Sequence, residues 1–105
     1  MEVMKEVSPT TGLYSGHTLV GVTAVPLCGN FDTRRGVLLR CPGSLDPVPN
    51  TAPVWVGPKS VKADSSAAGG MPITPGSHIV LPIEDPSQLY VISTVADQDI
   101  AWMGV

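Results

Sequence analysis

Few side chains in this sequence have the types and spacing that chemistry needs. The two histidines, His17 and His78, stand far apart. A metal centre needs three or four converging ligands, and neither histidine has a second one close by to begin such a set. His78 reads instead as a polar residue at the start of a strand. Cys28 and Cys41 are the only cysteines. A nucleophilic thiol needs an imidazole and an orienting group beside it, and no pattern marks such a pairing. Both cysteines are expected to be reduced and to pack as small hydrophobes. The serines form no G-x-S-x-G elbow, and neither a phosphate loop nor a dinucleotide fingerprint occurs. The acids Glu84-Asp85 and Asp97/Asp99 fall in turns, where carboxylates cap backbone amides, and they lack the alternating oxygen ligands of a calcium loop. The expectation is therefore no catalytic residue, no metal and no cofactor.

Residues suited to contact are more evident. Trp55, Tyr90 and Trp102 have two readings: a platform on which a sugar stacks, or filling for a core or an oligomer interface. Arg34 and Arg35 are adjacent on a turn, either solvated or paired bidentately with carboxylates of another chain. Only 14% of the 105 residues are charged, against roughly 25% in an ordinary domain. Part of the surface must then be apolar or small and polar, as in surfaces that pack on another protein. The net charge of −3 argues against a nucleic-acid partner, which calls for a basic face. No stretch approaches the ~18 apolar residues of a membrane helix, so no membrane partner is expected. The start of the chain lacks the apolar run of a secretory signal. All six basic residues lie in residues 1–62 with four acids, whereas residues 63–105 hold five acids and no base. Such a field either orients the chain at an interface or reflects solvated loop acids.

The elements that would position these residues read as strands. Gly and Pro number 11 each, and 43% of residues are apolar. Apolar segments cut by frequent turns point to short strands joined by tight loops. Strands are expected over 17–27, 36–41, 53–57, 78–83, 89–95 and 100–105, with another near 61–64. The turn 96–99 separates the last two strong strands. In 36–41, Val37, Leu39 and Cys41 share one face and Leu38 and Arg40 the other. Val54 and Val56 oppose Trp55. Ile79, Leu81 and Ile83 lie together, and Pro82 favours an edge or a strand end. Val54, Val56, Ile79, Leu81, Val91 and Trp102 are the expected core. No window of helical periodicity stands out. The predicted fold is all-β: an antiparallel β-sandwich, jelly-roll-like or Ig-like, over 17–105, preceded by an extended N-terminal arm over 1–16. The arm carries Val3, Met4, Val7, Leu13 and Tyr14 as anchors. It either adds a strand to a neighbour's exposed sheet edge or folds back over its own domain.

The segment Asn50-Thr51-Ala52-Pro53-Val54-Trp55-Val56-Gly57 resembles a stretch found in small structural proteins of tailed bacteriophages. The resemblance continues through Pro72-Ile73-Thr74-Pro75-Gly76-Ser77-His78-Ile79-Val80-Leu81-Pro82-Ile83. It extends over Asp85, Leu89-Tyr90-Val91 and the ending Ala96-Asp97-Gln98-Asp99-Ile100-Ala101-Trp102. It covers residues 36–105. It implies a virion component on the capsid exterior, assembled in the host cytoplasm: a decoration (cement) protein that bridges subunits of the major capsid protein. The alternative is a tail, baseplate or head-fibre-base binding module, with carbohydrate as a candidate ligand. A homo-oligomer, dimer or trimer, is expected. The partner interface is expected at Val3, Met4, Val7, Leu13, Tyr14, Arg34 and Arg35.

Overall fold

A computed structural model describes residues 14–29, 33, 35–66 and 69–105. Eight strands follow in order: β1 (Ser15–Val20), β2 (Val25–Pro26), β3 (Val37–Arg40), β4 (Val54–Gly57), β5 (Met71–Ile73), β6 (His78–Leu81), β7 (Tyr90–Ser93) and β8 (Gln98–Gly104). A single 3₁₀ turn, Pro86–Gln88, precedes β7. Two four-stranded antiparallel sheets result, ordered β1-β8-β3-β6 and β2-β7-β4-β5.

The pairing is nested. β1 pairs with β8, β2 with β7, β3 with β6 and β4 with β5. The chain is thus one long antiparallel ribbon folded at the β4–β5 connection. Rolling that ribbon brings β3 beside β8 and β4 beside β7, which closes each sheet. This is the jelly-roll order, so of the two sandwich types expected, the Ig-like one is set aside.

Alternation along the strands fills the space between the sheets. Val20, Val37, Leu39 and Ile100 from one sheet meet Val54, Val56, Ile73 and Val91 from the other, joined by Leu27 and Cys41. Burying a side chain of this size is worth about 1.5–3 kcal/mol, so this layer supplies most of the driving force. Val54, Val56 and Val91 are buried as expected. Ile79, Leu81 and Trp102 are only half-buried and pack against the layer from its margin.

Four details differ from the strand pattern. The stretch 17–27 is not one strand: β1 begins at Ser15, ends at Val20, and the chain bends through 21–24 before β2. Val20 is buried and Val22 exposed, so the alternation slips where the chain changes sheet. There Gly21 O accepts from Ser93 N at 2.8 Å. Met71–Ile73, with Pro72 in its middle, forms an edge strand, a position where a missing N–H is tolerated. The stretch 61–64 is reduced to one isolated bridge, Lys62 to Gly69. Finally, β8 begins at Gln98, inside the expected turn: Gln98 pairs with Val20 of β1, and its buried side chain bonds to the backbone of a distant loop.

Candidate binding surfaces

The residues that could have made an active centre are kept apart by the sheets. His17, Ala101, Arg40 and His78 are successive partners in one row across the outer face of the β1-β8-β3-β6 sheet. His17 and His78 therefore sit on opposite edge strands, three strand spacings or about 14 Å apart. Each has its own surroundings. His17 Nδ1 lies 2.7 Å from Asp99 Oδ2, and Arg40 stands next to His78 in the row. Among the described residues no group of three or more His, Cys, Asp or Glu converges in a way that could hold a metal ion.

Cys28 is half-buried and Cys41 buried, both as free thiols. Burial, with a contribution from the Asp85 charge, pushes the Cys28 thiol up to about 11. Such a thiol is protonated at neutral pH and a poor nucleophile. Asp85 caps the 3₁₀ turn, accepting from Ser87 N at 3.0 Å and Ser87 Oγ at 2.7 Å. Asp64 caps a turn in the same way through Ser66 N and Oγ. Asp97 occupies a left-handed turn position at φ 61°. These three acids are structural caps and turn formers.

The two outer faces differ in kind. The β1-β8-β3-β6 sheet carries every acidic, basic or histidine residue found in the strands: His17, Arg40, His78 and Asp99. The strands of the β2-β7-β4-β5 sheet carry none. Its outward positions are Pro26 beside Tyr90 and Gly57, and Ile92 beside Trp55 and Pro72. Pro26 and Pro72 are exposed, and Tyr90, Ile92 and Trp55 half-exposed. Alternation places Trp55 here because Val54 and Val56 take the inner face. Trp102 does not join the other two aromatics. It belongs to the other sheet, its ring against Gly16 and its Nε1 donating to Thr18 Oγ1 at 3.1 Å.

The loop 42–52, between β3 and β4, is pinned along its length. Arg40 holds Asp46 by two hydrogen bonds of 3.0 and 2.9 Å, and Gly43 N donates to Asp46 Oδ2 at 2.7 Å. The Arg40 guanidinium and the Gly43 amide keep the Asp46 carboxyl below its ordinary value. Gly43 lies against Gly76 so closely that a Cβ on Gly43 would stand 2.6 Å from the Gly76 Cα. At the far end Asn50 and Gln98 take over. Gln98 Oε1 accepts from Thr51 N at 2.8 Å and Ala52 N at 3.0 Å, and its Nε2 donates to Thr51 Oγ1 and Ala96 O. Three prolines (Pro42, Pro47, Pro49) stiffen what lies between. From this rigid frame Leu45 and Val48 project with 97% and 80% of their surface exposed. In the sequence this stretch reads only as a proline-rich loop. The partners at its far end are 46 to 49 residues away along the chain, so no local signal discloses them.

At the opposite end of the sandwich an open groove of about 380 Å³ lies between edge strands β5 and β6. Val56, Met71, Leu81, Ile83 and Leu89 line it, with Gln88 as a polar side chain in the wall.

Of the residues expected at a partner interface, Val3, Met4, Val7, Leu13 and Arg34 lie outside the described residues, as does most of the arm. Tyr14 is exposed at the entry to β1, its carbonyl accepting from Gly104 N at 2.9 Å. Arg35 is exposed, its N–H donating to Val105 O at 2.8 Å. Comparison with protein-family models, with curated proteins and with solved structures found no match to this chain.

Proposed function

We propose that this chain is a structural virion protein of a tailed bacteriophage, a capsid decoration protein that acts by surface contact and without chemistry. The observation that carries the adhesive role is the uncharged outer face of the β2-β7-β4-β5 sheet, opposed to a sheet that carries all the charged and histidine residues of the strands. A face with aromatic and proline side chains and no charge is suited to a partner, because no ion has to be desolvated on contact. Its occupant in this reading is the major capsid protein. The placement in a virion rests on the resemblance of residues 36–105 to small phage structural proteins. The jelly-roll order is compatible, since that fold recurs in capsid domains, but folds host many functions. Many copies, each held by a modest contact, would bridge shell subunits through avidity. The test is whether the protein stays with intact particles through density-gradient purification, at a fixed copy number relative to the shell protein. Loss from the particles at that step rejects the reading.

A second reading is favoured by Trp55 and Tyr90 standing partly exposed on that same face. A tail or baseplate module that stacks a sugar on these rings would use it as a lectin does. Glycan-array binding by the purified protein, abolished by Trp55→Ala, would select that reading over the first.

A further inference from the structure

The edge strands of the two sheets are β1 and β6 in one and β2 and β5 in the other. Three of them discourage the addition of a further strand. β2 is two residues long and ends in Pro26, and β5 is three residues long with Pro72 in its middle. β6 has four residues and stops directly before Pro82. Shortness and proline are devices that keep sheet edges from joining. β1 has neither: it runs for six residues, SGHTLV, without proline or lysine. Among the described residues no strand pairs with its outer side.

The ladder with β8 decides which backbone groups of β1 face outward. Gly104 N donates to Tyr14 O, so in the antiparallel alternation Gly16, Thr18 and Val20 also turn their N–H and C=O toward β8. Ser15, His17 and Leu19 turn theirs to the free edge, and these three are spaced symmetrically about His17. We propose that β1 pairs with β1 of a second copy, antiparallel about a two-fold axis at His17. The pairing joins the two β1-β8-β3-β6 sheets into one, in a closed dimer. Ser15 of each copy then faces Leu19 of the other, His17 faces His17, and every outward N–H and C=O of these residues is bonded.

The side chains suit this register. Leu19 is 71% exposed on the outer face, and the pairing sets it across from the small Ser15. At the axis, His17 is held toward β8 by its 2.7 Å contact with Asp99 Oδ2. Each imidazole is thus directed away from the other and keeps its own counter-charge. β1 carries no other titratable side chain, so no bare like charges meet across the axis. A second copy is selected as the occupant because the other edges carry guards against joining further copies, whereas this one is unguarded and complementary to itself. The inference concerns the chain alone and does not depend on the function proposed above.

The test reads the register on the full-length chain. In sedimentation velocity over a concentration series, the parent is a dimer. Leu19→Pro removes an outward N–H, and His17→Lys sets two ammonium groups across the axis; each variant is monomeric, with an unchanged circular dichroism spectrum as the control for folding. On mild oxidation His17→Cys links two copies, since facing residues stand about 5.5 Å apart, within disulfide reach. Ser15→Cys alone does not link, and an equimolar mixture of Ser15→Cys with Leu19→Cys does. The parent, with Cys28 and Cys41 as free thiols, is the control for oxidation. The proposal is overturned by a monomeric parent, by association that survives both Leu19→Pro and His17→Lys, or by Ser15→Cys linking to itself as readily as His17→Cys. With a monomeric parent, dimerisation on deleting residues 2–12 would assign the edge to the chain's own start. Loss of particle binding in Leu19→Pro would instead assign it to a strand of the shell.

Discussion

Asn50 is held against Asp99 as a neighbouring strand would be: its Nδ2 donates to Asp99 O at 2.7 Å and its Oδ1 accepts from Asp99 N at 2.8 Å. On the side of β8 away from β1, where the ladder with β3 ends at Ala101, one side-chain amide thus continues the sheet, and it fastens the 42–52 loop to the sandwich. Asn50→Asp puts a carboxylate oxygen where the donor stood, facing a carbonyl. We expect a loss of about 1–3 kcal/mol in urea denaturation at pH 7. Measured against the parent protein at the same pH, that loss should shrink in acid, where the introduced carboxyl is protonated and can donate again.

The other end of the loop responds to pH through Asp46. Its folded value lies below the ordinary 3.8, because Arg40 and the Gly43 amide favour the charged form. A depressed carboxyl stabilises the folded state above its unfolded value, and the contribution disappears as pH falls through the folded value. The Gly43 amide resonance should therefore hold its position from neutral pH down to about pH 4 and move only below it. Asp46→Asn should shift that resonance at neutral pH, and a Gly43 amide that titrates near pH 6 would contradict the assignment.

Gly36, immediately before β3, adopts φ 137°, where a side chain is strained. A Cβ there would also collide with the carbonyl oxygen of Leu81 on the neighbouring strand. Both the backbone strain and the collision act against alanine. Gly36→Ala should cost about 3 kcal/mol or more in denaturant melts. A cost under about 0.5 kcal/mol would show that the turn has room to rearrange.

The segment 36–41 shows what was legible in the sequence. Side chains in a strand alternate with period two, and Val37, Leu39 and Cys41 are buried while Arg40 is exposed, as the pattern requires. The same rule places Trp55 opposite Val54 and Val56. It cannot place the break after Val20, because β-branched residues continue through the bend at 21–24 and nothing local says that the chain changes sheet. It also cannot place Gln98 in a strand, since the partners that hold it there, Val20 of β1 and the backbone of Thr51 and Ala52, are all distant along the chain. The 61–64 stretch shows the converse: strand composition without a partner strand leaves only a bridge. Of the binding surfaces, the aromatics were visible and their separation was not. Trp102 packs where it does because its register partner, Gly16, leaves room for the ring.

Leu81 illustrates the same limit in energy. Alternation puts it on the inner side with Ile79, yet β6 is an edge strand and leaves Leu81 half-buried beside the groove. Leu39, fully enclosed, should lose about 2–5 kcal/mol on truncation to Ala. Leu81→Ala should lose clearly less under the same conditions. Equal losses would mean that the groove is closed in solution.

In the function proposed above, the uncharged β2-β7-β4-β5 face holds the chain to a phage shell. The measurement is the copy number per shell subunit on gradient-purified particles, for the parent, for Pro72→Glu combined with Ile92→Lys, and for Val80→Glu on the opposite face. Pro72 and Val80 are both exposed, so altered occupancy rather than unfolding is read, with melting curves as the control. A fixed stoichiometry for the parent and for Val80→Glu, with near-complete loss for the double variant, is the predicted result. A parent absent from particles, or a double variant that still decorates them fully, contradicts the account.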